Sequence, residues 1–165
     1  MKQTTQPYTI QKQPYVGAGV ILTRHDADGV TRYLLLKGRD TGVWSFSKGH
    51  PEIYDCDAPL RTAVRETFEE TGLKAGQHYS IIGDSIRFGK RPYWVGIMKE
   101  PAATVIVCRK EHTMAAWFSW EEICQLNGNT DVRCWIKKSR GPNGQFMRFT
   151  HHLSSSGTQD THLTA

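Results

Sequence analysis

The stretch from Pro59 to Gly72 constrains this chain more than any other, because it must be helical while crowding three carboxylates onto one side. Asp57 is a candidate N-cap, Pro59 suits a first turn, and Gly72 stands where a left-handed residue closes a helix. The spacing predicts a helix from about Ala58 to Thr71. Leu60, Ala63, Val64, Thr67 and Phe68 recur at helical intervals and form its expected inward stripe. Glu66, Glu69 and Glu70 fall at i, i+3 and i+4 and share a face. Like charges so placed repel by about 0.2–0.5 kcal/mol per pair. A hard divalent cation relieves that repulsion, and magnesium commonly bridges carboxylates to phosphates. The helix by itself leaves open the alternative of a solvated acidic face.

Around this helix the pattern is that of alternating strands and turns. Val16 to Thr23 and Tyr33 to Lys37 read as apolar strands joined at the turn signal Asp26 to Gly29. Val43 to Phe46 is a short alternating strand, and Lys48 to Cys56 reads as irregular because of Gly49 and Pro51. Ile81-Ile82, Tyr93 to Met98 and Thr104 to Val107 read as further strands. A second helix opens at Trp120 after Ala115 to Phe118, and Trp135 to Lys138 reads as a third, short helix. The polar tail 151–165 reads as disordered, so residues 1–150 are expected to form one domain.

Composition sets wide bounds. Apolar residues at 38% and charged residues at 22% describe an ordinary globular profile, and no run approaches the roughly 20 apolar residues of a membrane span. Met1 to Gln13 lacks the apolar stretch of a signal peptide. The four cysteines show neither a CxxC pair nor zinc spacing. A cytoplasmic protein with reduced thiols is the expectation. The net charge of +5 suits a polyanionic ligand and equally suits a solubilising surface.

The segment from Gly49 to Leu73 resembles the Nudix box, GX5EX7REUXEEXGU with U apolar. Arg65, Glu66, Glu69, Glu70, Gly72 and Leu73 match it position by position, with Thr67 at an apolar position. The first half departs by a two-residue insertion, and either Asp55 or Asp57 replaces the pattern's glutamate. The resemblance implies a Nudix α/β/α sandwich with a mixed β-sheet. It further implies Glu66, Glu69 and Glu70 as ligands of Mg2+, with Mn2+ as the alternative, and Arg65 as a brace for the carboxylates. The cations neutralise a diphosphate and lower the pKa of water, and a carboxylate orients or deprotonates that water.

Beyond the box, WSFSKGHPE at 44–52, Tyr93-Trp94, Glu111-His112 and Trp120 to Leu126 are similar to the asymmetric diadenosine tetraphosphate hydrolases, with Ser47 in place of the usual proline. That likeness implies a nucleotide or dinucleoside polyphosphate substrate and adds Glu111 as a metal-binding or water-activating carboxylate. Lys48 and His50 are expected at the phosphates, and Tyr93 either stacks on a base or packs within its strand. Arg87, Lys90 and Arg91 form a basic cluster before Tyr93 that fits a polyphosphate, RNA or solvent. The competing readings are a Nudix enzyme acting on RNA caps or 5' ends, and a catalytically silent nucleotide-binding domain.

Overall fold

The computed structural model describes residues 15–88 and 90–140. Its strands are β1 (Ala18–His25), β2 (Thr31–Gly38), β3 (Trp44–Ser45), β4 (Ser47–Gly49), β5 (Tyr79–Phe88), β6 (Arg91–Met98) and β7 (His112–Phe118). Its helices are α1 (Pro59–Thr71), α2 (Trp120–Ile123) and α3 (Thr130–Ser139), and a 3-10 turn at Ile53–Asp55 precedes α1.

Strand β1 sits inside the sheet and pairs with three others. It runs antiparallel to β2 and β4 and parallel to β6, so the sheet is mixed. Its unbroken apolar run suits a strand covered on both faces. Successive side chains alternate, so Val20 and Leu22 join Leu34, Tyr79 and Ala63 of α1 in one core. Ile21 joins Leu35, Phe46, Tyr93, Ile123 of α2 and Trp135 of α3 in the other. Helices on both faces of the sheet make the expected α/β/α sandwich. Among the described residues no helix is long and apolar enough to cross a membrane.

Five expectations are corrected. The inward face of α1 is Thr62, Ala63, Thr67, Glu70 and Thr71, whereas Leu60 and Phe68 are exposed and Val64 is half-buried. Small side chains let the helix lie close to β1 and β4, and Ser47 donates to Thr67 across that contact. The N-cap is Ala58 without a side-chain bond, because Asp57 takes a left-handed conformation with φ 54°. Thr104 to Val107 is not a strand. Its backbone turns to the end of α1, where the amides of Ile106 and Cys108 donate to the carbonyls of Thr71 and Glu70. Lys48 to Cys56 contains β4 and the 3-10 turn, and α3 is longer than expected because Asn129 caps it by accepting from the amide of Val132. The polar tail lies outside the described residues.

Candidate active site

A glycine and a buried acid shape the loop ahead of α1. Gly49 ends β4 directly beneath Glu66, and a Cβ there would lie 1.9 Å from the Glu66 carboxyl carbon. Only a residue without a side chain lets that carboxylate rest where it does. In the 3-10 turn, Asp55 is buried and accepts from the amide of Glu52 at 2.8 Å, the hydroxyl of Thr62 at 2.7 Å, and Nε and Nη2 of Arg65 at 3.1 and 2.9 Å. Burial pushes its carboxyl up, but the Arg65, Glu52 and Thr62 bonds outweigh this and hold it at about 2. Asp57, by contrast, is exposed. Asp55 is therefore the acid that pairs with Arg65. Five residues separate Gly49 from Asp55, as in the box pattern, so the two extra residues fall after it, where Cys56 and Asp57 adopt positive φ.

Arg65 is the hub of this loop. Besides Asp55 it reaches Glu66 at 2.9 Å, Glu69 at 3.0 Å and the carbonyl of His50 at 2.8 Å. Hydrogen bonding to Asp55 first, and to Glu66 as well, raises its pKa and keeps it charged. All of these partners belong to the protein, so its position is that of a brace.

The carboxylates are placed unequally. Glu70 is buried at the centre of the inward face of α1, with Oε2 accepting from the Lys48 amide at 3.0 Å and Oε1 bonded to Nε2 of His112 at 2.9 Å. Glu66 is half-buried, and its pKa is raised mainly by that burial, against the pull of Arg65 and with the push of Glu70 and Glu69. Glu69 is turned outward against Arg65. Glu111 arrives from the turn after Cys108, whose carbonyl accepts from the amides of Glu111 and His112. Its carboxylate has no hydrogen-bond partner among the described residues.

Glu66, Glu70, Glu111 and His112 line an open cleft of about 340 Å³ together with Lys48, Gly49, His50, Glu52 and Arg91. Six of the expected site residues thus meet in one place: Glu66, Glu70, Glu111, Lys48, His50 and, bracing from behind, Arg65. Glu69 is not on the cleft wall. Tyr93 does not offer a face for base stacking: it is fully buried, edge-on to Phe46, with its hydroxyl donating to Asp131 at 2.6 Å. Its place inside β6 turns the ring into the core. Sequence reasoning noted His112 beside Glu111 but gave it no role in the site, because a single histidine carries no spacing signal. It treated Arg91 as one of a charged cluster, whereas Arg91 alone of the three reaches the cleft.

A model of the NUDIX domain matches residues 13–138. The chain belongs to the Nudix hydrolases. An asymmetrical bis(5'-nucleosyl)-tetraphosphatase of Rattus norvegicus is 33% identical over 133 residues, covering 72% of this chain and 88% of the rat protein. A peroxisomal coenzyme A diphosphatase of Caenorhabditis elegans is 28% identical over 142 residues, covering 82% of this chain but 52% of that protein. Among solved structures, a C. elegans Ap4A hydrolase binary complex gives a TM-score of 0.59 at 20% identity, over 75% of this chain and 96% of the other. That structural likeness speaks to the fold.

Nudix hydrolases use divalent metal ions, and the donors in this Nudix hydrolase fit one. Glu70, Glu111 and His112 each present a ligand atom, and these atoms lie within 4.8 Å of one another. Each bonded oxygen of Glu70 keeps a further lone pair. The raised pKa of half-buried Glu66 and the unpaired carboxylate of Glu111 are both relieved by a cation. Oxygen-rich donors of this kind suit hard ions.

Proposed function

We propose that this Nudix hydrolase cleaves a dinucleoside tetraphosphate asymmetrically, releasing ATP and AMP from diadenosine tetraphosphate. The observation that carries the reading is the meeting of Glu66, Glu70 and Glu111 with Lys48 and Arg91 in one open cleft. The chain's similarity to named asymmetrical tetraphosphatases supplies the substrate class. A magnesium ion held by these carboxylates would neutralise phosphate charge and acidify water, with manganese as a substitute.

The residues divide the remaining work. Lys48 and His50 take phosphate oxygens on the β4 side of the cleft. Glu111, free of protein partners among the described residues, orients the attacking water and accepts its proton, with Glu66 beside it as a second acceptor. Glu70 is the fixed ligand, held by Lys48 and His112. Glu69, turned outward against Arg65, would hold a metal ion only after leaving that arginine, which costs little because its side chain is half exposed and such a pair contributes about 0–1 kcal/mol. No side-chain nucleophile is needed, so water enters one phosphate product.

The test is product identification after a single turnover in oxygen-18 water with magnesium. ATP and AMP, with label in one of them, are expected; two ADP molecules refute the asymmetric cut. A second reading, favoured by the likeness to a coenzyme A diphosphatase, is hydrolysis of a coenzyme A diphosphate linkage. A panel of diadenosine tetraphosphate, coenzyme A and capped RNA separates these. An RNA substrate also announces itself by a steep salt dependence of affinity.

A further inference from the structure

Beneath the cleft lies a buried chain of polar groups that the chemistry above does not use. The phenol of Tyr93 donates to Oδ2 of Asp131, and the same oxygen faces Nη1 of Arg91 at 3.4 Å. Asp131 is 5% exposed and sits in the first turn of α3. A buried carboxylate is costly unless charge and hydrogen bonds compensate it. Here the phenol, the guanidinium and the positive end of α3 do so. Burial first, then the charge of Asp131, keeps the Tyr93 phenol protonated well above its usual range, so it is a permanent donor.

Arg91 is the one end of this chain that reaches the cleft. Its side chain is 30% exposed. Gly17 makes room for it, since a Cβ there would come within 3.1 Å of Nε of Arg91 and 2.5 Å of the Gly49 carbonyl oxygen. A guanidinium carries five N–H donors in a planar fork, and the contact with Asp131 occupies Nη1 alone. The guanidinium keeps its remaining donors free of Asp131, and Arg91 lines a cleft that Glu66, Glu70 and Glu111 line as well. A cation held by the carboxylates would attract a phosphate chain, and an arginine already fixed by Asp131 could meet it without first losing side-chain freedom.

We propose that Arg91 is a phosphate-binding residue of this cleft, aimed by Asp131 and Tyr93 as positioning residues, and that it takes the polyphosphate of the substrate. The proposal rests on the nucleoside polyphosphate reading above and deepens it. Tyr93 then serves substrate binding from within the core.

The test uses inorganic tripolyphosphate with magnesium, followed by calorimetry, so it does not depend on which nucleotide is cleaved. Arg91→Gln should weaken binding at least about tenfold, the loss expected for charge-assisted hydrogen bonds, with Arg91→Lys between it and the wild type. Binding of Mn2+ without phosphate should stay within about twofold, since the donors of the metal site are untouched. With diadenosine tetraphosphate the change should fall on KM rather than kcat. Asp131→Asn and Tyr93→Phe should weaken tripolyphosphate binding in the wild-type background and add nothing in Arg91→Gln. A merely structural role would weaken it equally in both backgrounds; Tyr93→Phe carries the test if Asp131→Asn does not fold. Absence of binding to the wild type, or equal binding by Arg91→Gln, overturns the proposal. Failure to cleave any nucleotide while tripolyphosphate binding depends on Arg91 overturns the functional reading and leaves this one standing.

Discussion

At position 49 the backbone passes so close to Glu66 that even a methyl group overlaps its carboxylate. Gly49 does not need positive φ, so alanine is conformationally acceptable there and the strain falls on the side chain above it. Gly49→Ala should therefore displace Glu66 and lower kcat by on the order of 10²-fold, while the melting temperature moves little. Steady-state kinetics beside a thermal melt checks this, and an unchanged kcat contradicts the role given to Glu66. Glu70 and Glu69 differ in kind although they are neighbours. An amide at position 70 keeps its oxygen for the Lys48 amide and turns an NH2 toward Nε2 of His112, losing the second carboxylate oxygen and its charge there. Glu70→Gln should cost about 1–3 kcal/mol of stability as well as at least roughly 10²-fold in turnover. Glu69→Gln, on an exposed side chain, should lower turnover without a measurable loss of stability.

Helix α1 is oriented by its small residues rather than by its apolar ones. Thr62, Ala63, Thr67 and Thr71 allow close approach to the sheet, and that approach carries Glu70 to the Lys48 amide. Ala63→Leu should thus destabilise by about 1–3 kcal/mol through overpacking, whereas Phe68→Ser should cost less than about 1 kcal/mol. Denaturant midpoints compare the two, and the reverse order would overturn this account of the helix face. The loop before α1 is fastened by Asp55, whose folded pKa of about 2 lies below the ordinary 3.8. Its contribution is complete above 3.8 and is lost as pH falls toward 2. At neutral pH it amounts to roughly 2 kcal/mol. Asp55→Asn should be less stable near neutrality and should show a flatter loss of stability through that acid window; parallel pH curves would argue against the Arg65 pairing.

Across the whole molecule the cleft exists only because four separate pieces converge: β4, α1, the start of β6 and the turn at Cys108 to His112. Glu70 and His112 are 42 residues apart and within hydrogen-bonding distance. A cation held by such a site would be bound in the folded state alone, which would link metal to stability. Magnesium at 100 times its dissociation constant should stabilise the protein by about 2.7 kcal/mol, an increment that chelation removes. Glu111→Gln, which alters a carboxylate with no protein partner among the described residues, should reduce that increment while leaving the metal-free melt unchanged. Scanning calorimetry with and without chelator measures it, and a full increment in the variant excludes Glu111 as a ligand.

The helix from Pro59 to Gly72, its carboxylate triplet and the strands on either side were legible in the sequence because each depends on local spacing and on residues with fixed conformational preferences. The same local logic misplaced what depends on distant partners. Leu60, Val64 and Phe68 looked like a core stripe, yet the turn of α1 about its axis is chosen by its fit to β1 and β4. The alternating residues 104–107 looked like a strand, yet their amides close the end of α1 and so deliver Glu111 and His112 to Glu70. Tyr93 left base stacking and strand packing both open, and its pleat position turns it inward to Asp131. Sequence alone determined that this chain holds a carboxylate helix of the Nudix kind in an α/β/α frame. The tertiary structure decided which carboxylates face the cleft, that Asp55 and not Asp57 holds Arg65, and that Arg91 lines the same cleft. These were decided by contacts between residues far apart in the chain, whose geometry no local pattern encodes.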